Sequence, residues 1–107
     1  MTNSGYVVVF ITAESGEEAA RISSILLEQR KAACINIIDG VNSIYRWQGK
    51  IDSSHESLLI VKTRASLLEE IIRVVKEIHT SEVPEIIALP VIGGSQDYLD
   101  WVGKETL

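Results

Sequence analysis

The side chains best suited to chemistry in this sequence are His79, Glu82 and Glu85, in the run His79-Thr-Ser-Glu82-Val-Pro-Glu85. Imidazole with carboxylates is a plausible ligand set for a borderline divalent metal, Cu(II) or Zn(II) before Mg(II). The same histidine stands where a helix must stop, and there a protonated imidazole also satisfies exposed last carbonyls. Spacing leaves both roles open. Cys34, the one cysteine, is either a soft ligand or a small buried apolar side chain beside Ala32 and Ala33. Glu56 and Lys62 share parity on an extended run, whereas His55, next to Glu56, must face the other way. Tyr45 and Trp47 also share a face, as packing or interface aromatics do more often than cofactor platforms.

Other chemistries lack their residues. There is no Gly-rich phosphate loop between a strand and a helix, no GxSxG, no HExxH and no CxxC. Ten basic against fifteen acidic residues give a net charge of −5, with no basic cluster for nucleic acid or an anionic membrane. A single cysteine excludes an internal disulfide and a cysteine zinc cage. Tyr6 to Ile11 is the only apolar run near the N-terminus, too short for a signal peptide or a span. The expectation is a cytoplasmic chain. Its 107 residues suit a single domain, 1–107.

The elements that must hold these residues are legible. Met1 to Gly5 is a polar lead-in expected to fray. Tyr6 to Thr12 is a β-branched and aromatic run, the mark of a strand buried on both faces. Ser15 to Glu18 forms a capping box, followed by an amphipathic helix through Ala19, Ile22 and Leu26 to about Lys31. Ala32 to Thr63 reads as two extended arms meeting at Gln48-Gly49, a hairpin turn signal. Ile35, Ile37, Val41, Tyr45 and Trp47 share odd parity, and Asp39-Gly40 breaks the pattern as a bulge does. Each arm exceeds ten residues, against about five or six for an ordinary strand. A body this small cannot cover so long a ribbon, so the hairpin reaches a neighbour. Ser66 to Glu69 is a second capping box, opening a helix that ends before Pro84. Ile86 to Ile92 is a last strand, and Ser95 caps a short final helix. The order is βαββαβ, an α+β ferredoxin-like sandwich with an antiparallel sheet, a long hairpin and a short C-terminal helix.

The strings Ala32-Ala-Cys-Ile-Asn36, Ser43-Ile-Tyr-Arg-Trp-Gln-Gly-Lys50, Glu56-Ser-Leu-Leu-Ile-Val-Lys-Thr63, Val83-Pro-Glu-Ile86 and Tyr98-Leu-Asp-Trp101 closely resemble the CutA family, the divalent-cation tolerance proteins. The resemblance runs in order from about Tyr6 to Trp101. It implies a homotrimer whose sheets pack around a threefold axis, clasped by the hairpin and the C-terminal segment. Tyr45, Trp47 and Trp101 are then interface residues. It also implies an architectural relation to the PII signalling trimers, which bind effectors between subunits. The motif residues that map here are Cys34, Tyr45, Trp47, Glu56, Lys62, His79, Pro84 and Glu85, near an inter-subunit cleft. The family pattern His-Pro-Tyr-Glu is His79-Thr-Ser-Glu82 in this chain, which lacks its Pro and Tyr. Ile11 and Ile78 stand where some members carry a further Cys and His.

The function expected from this is trimeric copper or other divalent-metal binding, with His79, Glu82, Glu85 and Cys34 as ligands and no organic cofactor. The alternative is a PII-like sensor whose cleft, with Tyr45, Trp47, Glu56, Lys62 and Pro84, holds a small anion through Lys62. An enzyme ranks last, because no nucleophile is specified.

Overall fold

The computed structural model describes residues 4–107; residues 1–3 of the polar lead-in lie outside them. The described end of that lead-in is tied down. Ser4 donates its amide (3.1 Å) and hydroxyl (2.6 Å) to the Val91 carbonyl, and the Gly5 carbonyl accepts from the Ala65 amide at 2.9 Å.

The β-branched run forms β1 (Tyr6–Ala13), followed by α1 (Gly16–Glu28), β2 (Cys34–Trp47), β3 (Lys50–Arg64), α2 (Leu68–Ile78), β4 (Ile86–Pro90) and α3 (Gln96–Glu105). The sheet order is β2-β3-β1-β4, every neighbour antiparallel. This is the ferredoxin-like α+β arrangement. Alternate residues of the central strands, Val7, Val9, Ile11, Ala13, Leu59 and Val61, bury against Ala19, Ile22 and Leu26 of α1 and Ile71 and Val75 of α2. Full burial of one large aliphatic side chain contributes about 1.5–3 kcal/mol, so this seam decides which sheet face the two helices occupy.

The hairpin strands run 14 and 15 residues. They meet in a two-residue turn with φ 50° at Gln48 and 79° at Gly49, the left-handed pair whose twist matches the strands. The register slips between Ile38 and Val41, where Gly40 takes φ 71°. Asp39 secures this bulge by accepting from the Ser57 hydroxyl at 2.6 Å. The bulge also corrects the single odd-numbered face expected of β2. Ile35 and Ile37 pair with Val61 and Leu59 on the helix side, whereas Val41, Ser43 and Tyr45 pair with Glu56, Ser54 and Asp52. One inserted residue inverts every side chain beyond it. Tyr45 and Trp47 therefore share the face opposite α1 and α2.

That opposite face is apolar. Ile38 pairs with Leu58, Ile60 with Phe10, Phe10 with Ile87, and Val8 with Leu89. In the single chain Ile38, Ile87 and Leu89 are about half exposed.

Element ends differ from local expectation where tertiary contacts intervene. α1 stops at Glu28, before Lys31, because Arg30 turns to φ 58°. The Arg30 guanidinium then donates to the Lys104 (2.8 Å) and Glu105 (3.2 Å) carbonyls at the end of α3. Ser66 and Glu69 form no capping box: Ala65–Leu67 make a 3-10 turn, and α2 opens at Leu68 without a side-chain cap. Ser95 occupies the cap position of α3, but its side chain makes no capping bond. β4 ends at Pro90 rather than Ile92. No helix of the described residues is long and apolar enough to cross a membrane.

Candidate functional site

The first capping box forms by half, and the missing half builds the site. The Ser15 hydroxyl accepts from the Glu18 amide at 3.1 Å. The Glu18 carboxylate does not return to Ser15; it accepts from the Glu14 amide (2.9 Å) and, through its other oxygen, from the Thr80 amide (2.8 Å). A helix N-terminus is thereby joined to the loop after α2. Glu18 is buried. Burial alone would raise its pKa, but the Glu14 and Thr80 amides and the Thr80 side chain outweigh that and hold it below the ordinary glutamate value.

His79 lies in the same network. Its amide caps α2 by donating to the Val75 carbonyl at 2.9 Å. Its ring is buried (side chain 4% exposed) with Nδ1 3.9 Å from Glu18 Oε2. Nε2 is 2.6 Å from the Thr12 carbonyl oxygen, and Nδ1 accepts from the Ser81 amide at 3.0 Å. A carbonyl only accepts and an amide only donates, so the proton sits on Nε2. Both ring nitrogens are spent on the main chain, where they hold the loop against the end of β1.

The loop so held is one wall of a groove of about 580 Å³. Ser81, Val83, Pro84 and Glu85 face Tyr45, Trp47, Asp52, Ser54 and Glu56 of the hairpin across it, with Thr12 and His79 also in its lining. The hairpin turn and register position the second wall, since Tyr45 stands opposite Asp52 and Val41 opposite Glu56. The Tyr45 hydroxyl donates to Ser54 Oγ at 3.3 Å. Among the described residues, no lysine or arginine lines the groove.

The structure therefore gathers six of the expected residues, Tyr45, Trp47, Glu56, His79, Pro84 and Glu85, and separates the others. Glu82 is exposed and outside the lining. Cys34 lies in the sheet row of Lys62 and Val8, while His79 docks at Thr12. Four residues along the strand are about 13 Å and two strand spacings about 10 Å, so Cys34 cannot complete a shell with His79 of the same chain. Its neighbour is Tyr98 of α3, whose phenol is pushed up by burial and by the Cys34 thiol. Lys62 donates to Asn36 and lies outside the groove, in a smaller apolar cavity beside Tyr98 and Leu99. Trp101 pairs with Tyr98, ring centroids 5.7 Å apart. Among the described residues, no group of three or more His, Cys, Asp or Glu side chains within the chain is placed to hold a metal. The expected set of His79, Glu82, Glu85 and Cys34 is thus not assembled by a single chain.

Two residues of the groove and its frame escaped the sequence. Asp52 could have been found by counting back from Gln48-Gly49, which sets it opposite Tyr45. Glu18 was visible as a capping residue, but its partner Thr80 is 62 residues away.

Residues 7–105 match the family model described as CutA1 divalent ion tolerance protein. The chain is 46% identical over 99 residues to the divalent-cation tolerance protein CutA of Thermus thermophilus, covering 92% of this chain and 96% of that protein. It is 43% identical over 100 residues to the chloroplastic protein CutA of Arabidopsis thaliana, covering 94% of this chain and 55% of that longer protein. The crystal structure of CutA1 from Oryza sativa superposes with a TM-score of 0.94 at 40% identity, over 100% of this chain and 98% of that one.

Proposed function

From the premise that the chain belongs to the CutA1 divalent ion tolerance family, we propose that it works as a homotrimer binding a divalent cation in its groove, without catalysis. One observation carries this reading: the carboxylates of Asp52, Glu56 and Glu85 share one groove that no lysine or arginine lines among the described residues. Glu56 and Glu85 supply oxygens from opposite walls, and a second copy supplies the rest of the shell. Assembly is supported by the apolar face of Phe10, Ile38, Ile87 and Leu89, and by a hairpin that leaves Ile44 and Ile51 69% and 73% exposed. Single-chain faces of this kind mark association surfaces.

The ion this favours is one that accepts oxygen donors, such as Mn(II). Copper at His79 would have to displace the Ser81 amide or the Thr12 carbonyl. A small anion bound through Lys62 is disfavoured, because Lys62 lies outside the groove and the groove is acidic.

The test is calorimetric titration of metal-stripped protein with Mn(II), Zn(II) and Cu(II), with light scattering for the mass. The expected outcome is a trimer binding one ion per chain, weakened in Glu85→Gln and kept in His79→Gln. Binding lost in His79→Gln but unchanged in Glu85→Gln would refute the groove carboxylates as ligands.

A further inference from the structure

We infer that the same groove binds an organic ammonium ion, a linear diamine or polyamine lying along β3 with its methylenes on Tyr45 and Trp47. The inference rests on the groove being a cation site, and extends it to a ligand that a metal shell does not need.

Aromatic and acidic side chains share this groove by strand register. Tyr45 stands directly opposite Asp52, with Trp47 diagonal to it and Glu56 one row beyond Ser54. In the single chain Tyr45 and Trp47 line the groove with 39% and 45% of their surface exposed. An ammonium ion is attracted to aromatic ring faces, and a hydrated metal ion gains little from them. The carboxylates have no cationic partner either, although Asp52 Oδ1 accepts from the Ser53 amide at 2.7 Å. Among the described residues, the ion pairs are Arg21 with Glu18, Lys31 with Glu70 and Arg73 with Glu77, and the His79 ring lies beside Glu18. None involves Asp52, Glu56 or Glu85.

Spacing then selects an extended ligand. Asp52 and Glu56 are four residues apart on one strand face, about 13 Å along it. They cannot both reach one metal ion, whose oxygen ligands must lie within about 2.0–2.6 Å. A linear polyamine meets such a pair naturally: separated positive ends, with an apolar chain between them for the rings to cover. Glu85 on the opposite wall offers a third anion. The groove volume of about 580 Å³ lies within the range of small-molecule sites. Lys50, the cross-strand partner of Trp47, sits at the hairpin tip and outside the lining.

Calorimetry of the assembled, metal-free protein with spermidine and putrescine, at about 0.15 M salt to screen loose surface attraction, tests this. The expected result is saturable spermidine binding, weakened about tenfold in Glu56→Gln and in Trp47→Leu. Mn(II) binding should weaken in Glu56→Gln and stay unchanged in Trp47→Leu. No saturable heat with spermidine overturns the inference, as does binding equal in wild type, Glu56→Gln and Trp47→Leu. If Trp47→Leu loses the assembled mass by light scattering, Asp52→Asn replaces it with the same expected loss. Mn(II) bound without spermidine refutes only the amine. Spermidine bound without Mn(II) refutes only the metal.

Discussion

Glu18→Gln isolates the link between α1 and the groove wall. The wild-type carboxylate gives one oxygen to the Glu14 amide and the other to the Thr80 amide. Glutamine keeps one carbonyl oxygen and turns an NH₂ group toward the second amide, which then faces a donor. Removing one hydrogen bond to a charged group costs about 1.5–3 kcal/mol; with both amides part-buried, roughly 2 kcal/mol is the appropriate figure. For a domain of this size that is roughly 8–16 °C in Tm, compared at one chain concentration so that assembly does not shift the midpoint. The pH dependence has a definite sign. The folded pKa of Glu18 lies below its ordinary 4.5, so its stabilisation is complete above that value and is lost as pH falls through the folded pKa. A protonated carboxyl has one acceptor and one donor, as the amide does, so the wild-type and Glu18→Gln melting curves should converge in acid. Thermal melts followed by circular dichroism from neutral to about pH 3 read both effects. A neutral-pH loss within about 0.5 kcal/mol, the range of ordinary surface changes, would refute the assignment. So would a gap that stays constant into acid.

Three further perturbations test the frame. A Cβ at Gly103 would lie 2.5 Å from the Tyr6 hydroxyl oxygen, so Gly103→Ala should destabilise by about 1–3 kcal/mol despite the usual helical gain. In a Tyr6→Phe background the same change should become neutral or stabilising, which a double-mutant cycle by urea denaturation measures. Gln48→Asn should stabilise by about 0.5 kcal/mol, because asparagine bears the left-handed turn position better; a lowered Tm would contradict the turn type. Leu89→Arg places a charge on the open apolar face and should reduce the mass seen by light scattering while leaving the circular dichroism spectrum folded.

Much of the fold was legible because its signals are local. Gln48-Gly49 announces a hairpin from two residues, and Ser15 caps α1 with its own hydroxyl. The β-branched run of β1 needs no distant partner to be read as a strand. The failures arise where a distant contact outweighs a local preference. Ser66 to Glu69 has the letters of a capping box, but Leu67 is 5% exposed in the core. The Ala65 amide is taken by the Gly5 carbonyl, so the chain enters α2 through a 3-10 turn. At Asp39-Gly40 the parity break marks the bulge, but the inversion of the later residues shows only in the strand pairing. That inversion moves Tyr45 and Trp47 onto the face where Asp52 and Glu56 stand.

The site was half legible for a related reason. His79 attracts a metal assignment because imidazole is a ligand, and residue type says nothing of whether its nitrogens are free. The segment from Thr80 to Glu85 belongs to neither helix nor strand, so its amides need partners from elsewhere. Glu18 takes that of Thr80, and the His79 ring takes that of Ser81 while donating to Thr12. The histidine thus holds the wall that presents Pro84 and Glu85. The groove keeps two partly exposed aromatic side chains and three carboxylates, Asp52, Glu56 and Glu85, outside every ion pair among the described residues, with Asp52 accepting only from the Ser53 amide. An unpaired carboxylate keeps its oxygens for an external cation, whereas a histidine bonded at both nitrogens must first break a bond that shapes the site. On the function proposed above, the cation therefore meets the groove acids Glu56 and Glu85, and His79 holds the wall that presents Glu85.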